Sequence, residues 1–133
     1  MRAQRYNRPE YYIKDKKAQI YKFMNVSVDG GMPRDQYIPI AASPLWCYTS
    51  QLSQDRIYQA LGVGKNETRY FVFNHLKNVE VNDALLYRGD WYNITRVDTQ
   101  DDYNTDTFIY VENMDNPPSE EDILTYEDGA QYL

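Results

Sequence analysis

The stretch V-E-V-N-D-A-L-L-Y-R-G-D-W-Y-N-I-T-R-V-D, residues 79–98, carries the clearest two-strand signal in the chain. Apolar and polar residues alternate on both sides of the turn Arg88-Gly89-Asp90, and a period of two is typical of half-buried strands. Gly89 reaches positive φ without steric cost, and Asp90 can hydrogen-bond locally, which favours a tight turn. We therefore predict a β-hairpin, with its first-strand apolar residues at the odd positions Val79, Val81, Leu85 and Tyr87.

The second strand of this hairpin breaks its alternation once. Tyr92 and Ile94 point to one face, but the next position on that face is Arg96, and the apolar residue follows at Val97. One extra residue inserted in a strand restores such a pattern. We predict a β-bulge near Thr95.

Four further segments alternate in the same way and predict strands over residues 19–28, 45–50, 69–74 and 107–112. Residues 53–61 change to a helical period, with Ser53 as N-cap and Gly62 where a C-terminal glycine belongs, so we predict a short helix of roughly two turns there. The polar segments 64–68 and 98–106 predict a linker and a hairpin loop. The fold class is mainly β, with one short helix.

Residues 32–44 contain three of the six prolines, Pro33, Pro39 and Pro44. Pro39 has no N–H to give to a sheet, so any strand here is short or lies at an edge. We predict a long loop over these residues, and long loops within compact domains are commonly functional.

The length of 133 residues suits one domain with a modest core. The net charge of −6 excludes general attraction to phosphate. Charge is unevenly distributed, because bases predominate over residues 1–17, whereas residues 112–133 hold seven carboxylates and no base. We divide the chain into a basic arm (1–17), a more neutral β-rich centre (18–112) and an acidic tail (113–133). Such charged segments are typically solvated and mobile, and the alternative is docking on a complementary partner.

Fourteen tyrosines are an unusual number for this length. Tyrosine favours strands and also subunit contacts, so the content fits either a β-rich protein or an extensive interface. Both charged arms hold aromatic or apolar residues, which disordered tails usually lack. Candidate partner-docking residues in the arms are Tyr11, Tyr12, Ile123, Leu124 and Tyr126.

The chain has few candidate catalytic side chains, because His75 is the only histidine and Cys47 the only thiol. Zinc sites of the common type need more such ligands. Cys47 lies between Trp46 and Tyr48, where we expect a buried and inert thiol rather than the nucleophile of a Cys-His pair. The carboxylates within residues 98–106 lack the spacing of a calcium loop. We predict no catalytic, cofactor-binding or metal-binding residues.

A single cysteine also rules out an internal disulfide and gives no support to an oxidising compartment. The sequence has no run of about 18 apolar residues, and its N-terminus lacks the apolar core of a signal peptide. We expect an intracellular, soluble protein with no membrane partner.

The order of these features resembles the head-tail joining, or head-closure, proteins of tailed bacteriophages. The similarity runs over about residues 18–112, from an early strand ending in Asp29-Gly30-Gly31 to the strand Arg69-Tyr70-Phe71-Val72-Phe73 and the hairpin. Seven hairpin positions match the family pattern: Asp83, Leu86, Tyr87, Gly89, Tyr92, Ile94 and Val97.

This resemblance implies a small antiparallel barrel that assembles as a twelve-fold ring in the virion, after assembly in the host cytoplasm. The ring would lie below the portal or adaptor protein, close the DNA-filled head and dock the tail terminator or tail protein. Packaged DNA would pass its channel without sequence-specific binding. In such proteins the loop after the early glycine turn plugs the channel, which here implies residues Met32, Arg34, Asp35, Gln36, Tyr37 and Ile38.

Two alternatives stay open. The chain could be another phage neck or tail-completion component. It could also be a small barrel of the oligonucleotide-binding type, with Trp91 and Tyr92 as stacking platforms, although such grooves are normally basic and this chain is acidic.

Overall fold

The computed structural model describes residues 13–52, 67–99 and 106–133. Within these ranges the chain is mainly β, and its helical elements are short. The strands are β1 (Lys16–Val26), β2 (Arg34–Pro39), β3 (Leu45–Gln51), β4 (Arg69–Asn74), β5 (Ala84–Tyr87), β6 (Asp90–Thr99) and β7 (Asp106–Asn113). The α-helix α1 spans Tyr126–Gly129, and short 3-10 helices cover Val28–Gly30, Glu120–Asp122 and Ala130–Tyr132.

Six of the strands close into an antiparallel barrel in the order β1-β3-β4-β7-β6-β5, and β5 returns to β1. Closure depends on the length of β1, which meets β3 over residues 16–18 on one edge and β5 over residues 19–21 on the other. The predicted small antiparallel β-barrel is confirmed.

Strand β2 extends this barrel rather than closing it. It pairs with β1 from Tyr21↔Pro39 to Val26↔Arg34, on the same edge of β1 as β3. The prediction of a loop throughout residues 32–44 is therefore wrong. Pro39 is tolerated because it falls at the last position of an edge strand, as expected for any strand that contains it. Residues 32–33 and 40–44, on either side of β2, are irregular in the way predicted.

The core fills the barrel interior. Phe71 lies at its centre, edge-on to the rings of Tyr87 and Tyr92 at centroid distances of 5.3 and 6.1 Å. Such tilted pairs stabilise a core beyond the area that they bury. The core cluster comprises Ala18, Ile20, Cys47, Phe71, Phe73, Leu85, Tyr87, Tyr92, Ile94, Ile109 and Val111.

The hairpin β5–β6 forms around the predicted turn. Tyr87 pairs with Asp90, and the two turn residues Arg88 and Gly89 have φ values of 52° and 83°. Two successive positive φ angles are typical of the type I′ turn, whose twist matches that of the strands. The turn is as tight as predicted.

The first strand of the hairpin is shorter than predicted. It begins at Ala84, and Val81 is half exposed, so the alternation from Val79 does not correspond to a strand. The physical reason is Asp83, whose carboxylate accepts the backbone N–H of Glu80 at 2.9 Å and thereby folds residues 80–83 into a turn.

The predicted bulge is confirmed, with a register shift between Ile94 and Arg96. The shift turns Thr95 and Arg96 towards Glu67, a buried carboxylate. Thr95 Oγ1 donates to Glu67 Oε2 at 3.0 Å, and Arg96 donates to Oε1 at 3.1 Å. The bulge thus supplies the partners that a buried carboxylate requires.

The predicted strands over 45–50, 69–74 and 107–112 are confirmed to within a residue, whereas β1 begins and ends earlier than the predicted 19–28. The predicted helix over 53–61 and most of the segments 64–68 and 98–106 lie outside the described residues. No helix within the described ranges is both long and apolar enough to cross a membrane.

Candidate functional site

The β1–β2 hairpin ends in a compact turn over residues 27–33. The Ser27 hydroxyl donates to the carbonyl of Gly31, and Asp29 and Gly30 take φ values of 55° and 75°. Met32 is 85% exposed at this tip. Single exposed apolar side chains are common on protein surfaces, so Met32 by itself does not identify a contact.

The structure divides the candidate channel residues into two groups. Met32, Arg34 and Asp35 are exposed, whereas Gln36 and Ile38 are buried and Tyr37 is half-buried. The buried pair lies beneath the end of the chain. Gln36 and Ile38 therefore cannot line a channel while that segment is in place.

Residues 119–133, which we call the tail strap, run along β2. Leu124 N–H donates to the carbonyl of Tyr37 at 3.0 Å, and Ile123 forms a parallel bridge with Tyr37. The Arg34 guanidinium pairs with Asp122 at 3.1 Å. The strap thus covers part of the free edge of β2, and covering is one of the ways in which proteins protect sheet edges from unwanted pairing.

The strap then turns under β2. Thr125 caps α1 by accepting the N–H of Asp128 at 3.1 Å, and Gly129 is buried against Ile38. A Cβ on Gly129 would lie 2.5 Å from Ile38 Cγ2, so only glycine allows this approach. The expectation of a solvated tail is wrong for this segment, because it packs on its own subunit.

An aromatic cluster occupies the outer face of the same hairpin. The Tyr21 and Trp91 rings are 4.9 Å apart, as are those of Phe23 and Tyr37, and Tyr37 lies 6.1 Å from Trp91. These rings are half-buried or, for Phe23, 39% exposed. Four aromatic side chains therefore face outwards together from β1, β2 and β6.

A groove of about 410 Å³ adjoins the cluster at Tyr21. It is mostly apolar and is lined by Gln19, Tyr21, Pro39, Ala41, Ala42, Pro44, Leu86, Ile123, Leu124, Thr125 and Tyr126. The predicted docking residues Ile123, Leu124 and Tyr126 thus meet at one groove. Tyr11 and Tyr12 lie outside the described residues.

Negative charge faces this surface. Burial, together with the nearby carboxylates of Asp122 and Asp35, raises the pKa of Tyr37. The pKa of Tyr21 is raised by burial. Both phenols are neutral at physiological pH, so the surface combines neutral rings with carboxylates at its margin.

The family-pattern residues hold the fold rather than line a surface. Tyr87, Tyr92 and Ile94 are core residues, Gly89 makes the turn, and Val97 packs against the core. Asp83 is 3% exposed immediately before β5. Leu86 alone among the seven lines the groove.

Residues of the other site types considered take the following positions. Tyr92 is buried in the barrel, so it cannot act as a stacking platform for a base. Cys47 is fully buried, and His75 is half-buried directly after β4. In the part of the chain that the structure describes, no three His, Cys, Asp or Glu side chains lie close enough to hold a metal ion.

Sequence reasoning missed the aromatic cluster, although one signal was present. Tyr21 and Phe23 alternate with Ile20 in β1, which places two aromatic rings on the face that a half-buried strand turns to solvent. The contributions of Tyr37 and Trp91 depend on strand pairings that no local pattern specifies.

Comparison with known proteins identifies the chain's relatives. The model of the family described as phage head completion protein matches residues 14–113. No curated protein matches the sequence. The solution structure of protein SF1141 from Shigella flexneri 2a has a TM-score of 0.66 at 12% identity, over 81% of this chain and 99% of that chain. The protein xkdH of the phage-like element PBSX of Bacillus subtilis has a TM-score of 0.43 at 13% identity, over 73% and 92%. The first of these structures is similar in fold alone.

Proposed function

Because the chain belongs to the phage head completion protein family, we propose that it forms a ring below the portal that closes the DNA-filled head and docks the tail. Membership of the family makes the chain a structural component of the virion, acting with other phage head and tail proteins. The ring, its place in the neck and its neighbours are the parts that we propose.

The observation that carries this proposal is the β1–β2 hairpin. Its two strands continue past the last β1–β5 pair, Tyr21↔Ala84, and end in the tip with exposed Met32. In a twelve-fold ring, copies of such a hairpin converging on the axis would narrow the channel. The plug is therefore the tip, residues 27–35, rather than the whole of 32–44.

The charge of the chain favours a plug that blocks the path of the DNA over one that binds the DNA. The net charge is −6, and the base nearest the tip, Arg34, is already paired with Asp122. Such a surface gives little attraction for phosphate. We infer that packaged DNA is held back sterically, without recognition of its sequence.

The tail strap and the aromatic cluster beside it are the proposed docking surfaces for neighbouring subunits of the neck, further copies of this chain among them. Ile123, Leu124 and Tyr126 line one groove with Tyr21 and Leu86, so a partner segment could bury apolar area there. A portal or adaptor protein above the ring and a tail terminator or tail protein below it are the proposed partners.

The plug can be tested by shortening the tip while sparing β2. Replacing residues 27–33 with a two-residue Asn-Gly turn keeps the β1–β2 pairing, since such turns suit hairpins. We expect heads that package DNA and then lose it before tails attach, scored by electron microscopy as the fraction of full heads. The matched control is Arg88→Gly in the other hairpin. If heads with the shortened tip stay full, the hairpin is not the plug.

A further inference from the structure

The aromatic cluster of Tyr21, Phe23, Tyr37 and Trp91, with the groove beside it, forms one continuous surface, which we call the aromatic surface. We propose that it binds residues 1–12 of a neighbouring copy of the chain, so that each subunit holds the next by its basic segment. This inference rests on the proposed function, since it requires copies held side by side.

The aromatic surface offers two kinds of contact. Tyr21 belongs to both the cluster and the groove, so the apolar area is continuous. Carboxylates of Asp35 and Asp122 border it at Tyr37, and Asp35 is exposed. The facing base is Arg34, whose guanidinium is 3.1 Å from Asp122 and 3.9 Å from Glu121. Carboxylates therefore exceed bases at this margin.

Residues 1–12 have the complementary chemistry. They contain Arg2, Arg5 and Arg8 against the single acid Glu10, and also three tyrosines. Arginine pairs with carboxylates and stacks on aromatic rings. Tyrosine fills apolar grooves at a small cost in conformational entropy. A groove with aromatic walls and an acidic margin is thus suited to this segment.

The point at which residues 1–12 join β1 favours a neighbouring copy, rather than the same chain, as the source of the bound segment. Tyr12 immediately precedes Ile13, which is 68% exposed near the start of β1. Strand β1 begins only at Lys16, and Tyr21 lies five positions further along it, or about 17 Å from Lys16. Tyr11 and Tyr12 are held within about 7 Å of Ile13, before the start of β1, whereas the aromatic residues of β1, Tyr21 and Phe23, lie from the middle of that strand onwards. On a neighbouring copy, the same segment can lay both tyrosines on the aromatic surface.

Photo-crosslinking of the full-length chain tests this contact. Tyr12→benzoylphenylalanine protein is made with and without ¹⁵N, and the two are mixed at near-millimolar concentration, where weak contacts between copies are populated. We expect crosslinks from position 12 to the aromatic surface that join labelled to unlabelled chains. Crosslinks confined to single chains, or none at this surface, would overturn the proposal.

Charge reversal provides the matched comparison. Asp35→Lys should lower the yield between chains about three-fold, in line with one exposed ion pair, and Arg8→Glu should restore it. Asp98→Lys, which reverses an exposed charge on β6, should leave the yield unchanged. If the charge reversal at the aromatic surface and Asp98→Lys give equal yields of crosslinks between chains, the proposal is also overturned. Because this readout is made in solution, it stays informative if the chain proves not to plug the head.

Discussion

The carboxylate of Asp83 accepts a hydrogen bond from the backbone N–H of Phe23 at 3.1 Å, across 60 residues of sequence. Its other oxygen accepts the N–H of Glu80 at 2.9 Å and lies 3.3 Å from the Lys22 ammonium. Asp83 sits just beyond the last β1–β5 pair, where β1 loses its strand partner on that side. The Asp83 side chain therefore provides β1 with a hydrogen-bond acceptor at the position where strand β5 no longer does.

Replacing Asp83 with alanine should destabilise the barrel by about 1–3 kcal/mol, because two partly buried N–H groups lose their acceptor. Asp83→Asn should cost less, since one acceptor oxygen remains. Urea unfolding followed by tryptophan fluorescence measures both. The control is Glu80→Ala, which removes an exposed carboxylate and should leave the midpoint nearly unchanged. If Asp83→Ala proves no worse than this control, the hydrogen bonds across β1 contribute little.

The turn at Arg88 predicts a stabilising change. Arg88 has a φ of 52°, a conformation that asparagine and glycine adopt more readily than arginine. Arg88→Asn should raise the free energy of unfolding by about 0.5 kcal/mol, whereas Gly89→Ala should lower it by about 1 kcal/mol. Thermal unfolding of both variants checks the opposite signs. If both variants lower the free energy of unfolding, the turn is not of type I′.

The parts of the fold that the sequence predicted are those in which local pattern and final environment agree. In β7 the alternation corresponds to one buried face, and the bulge at Thr95 follows from a single break in period. Strand β2 was not predicted, because the prolines of this segment indicated a loop. Its strand structure depends on six paired positions with β1. Non-local pairing of this kind leaves little trace in a short window.

The candidate site was predictable only in part. Ile123, Leu124 and Tyr126 could be identified as apolar residues within an acidic tail, and they do line one groove. That the tail lies on β2 depends on the packing of Gly129 against Ile38, two residues that carry no motif. The acidic composition of the tail indicated only charge repulsion, and it carries no information about the packing of Gly129 against Ile38.

Cys47 should resist thiol reagents in the folded protein. Burial raises its pKa to about 12, so at pH 8 roughly one molecule in ten thousand carries a thiolate. We expect almost no alkylation by iodoacetamide over an hour, and ordinary reactivity once the chain is unfolded in guanidinium. Mass spectrometry counts the modified chains. Rapid modification without denaturant would indicate that the barrel opens around β3.

The purified chain should be largely monomeric at micromolar concentration and should form rings on its portal-side partner. An acidic surface repels its own copies, and this repulsion weakens as salt screens it. Sedimentation velocity at micromolar concentration should therefore show a monomer. A stable ring without any partner would contradict this expectation.

Gly129→Ala should release the tail strap while leaving the barrel folded. In an ordinary helix this change is stabilising by up to about 1 kcal/mol, because glycine is the poorer helix former. Here the added Cβ would lie 2.5 Å from Ile38 Cγ2, and such overpacking should instead cost about 1–3 kcal/mol. Hydrogen exchange should report faster exchange at Leu124 N–H, which is bonded to Tyr37, and unchanged exchange in β4.

Ile38→Ala tests whether this clash is the cause, because it removes the atoms that a Cβ on residue 129 would meet. Ile38→Ala alone leaves a cavity and should itself be destabilising, by about 2–5 kcal/mol. In the double variant, Gly129→Ala should cost little more, so the two changes should be less than additive by at least about 1 kcal/mol. Full additivity would show that residue 129 and Ile38 do not meet, and the strap would then have to be held to β2 by Leu124 and the Arg34–Asp122 ion pair.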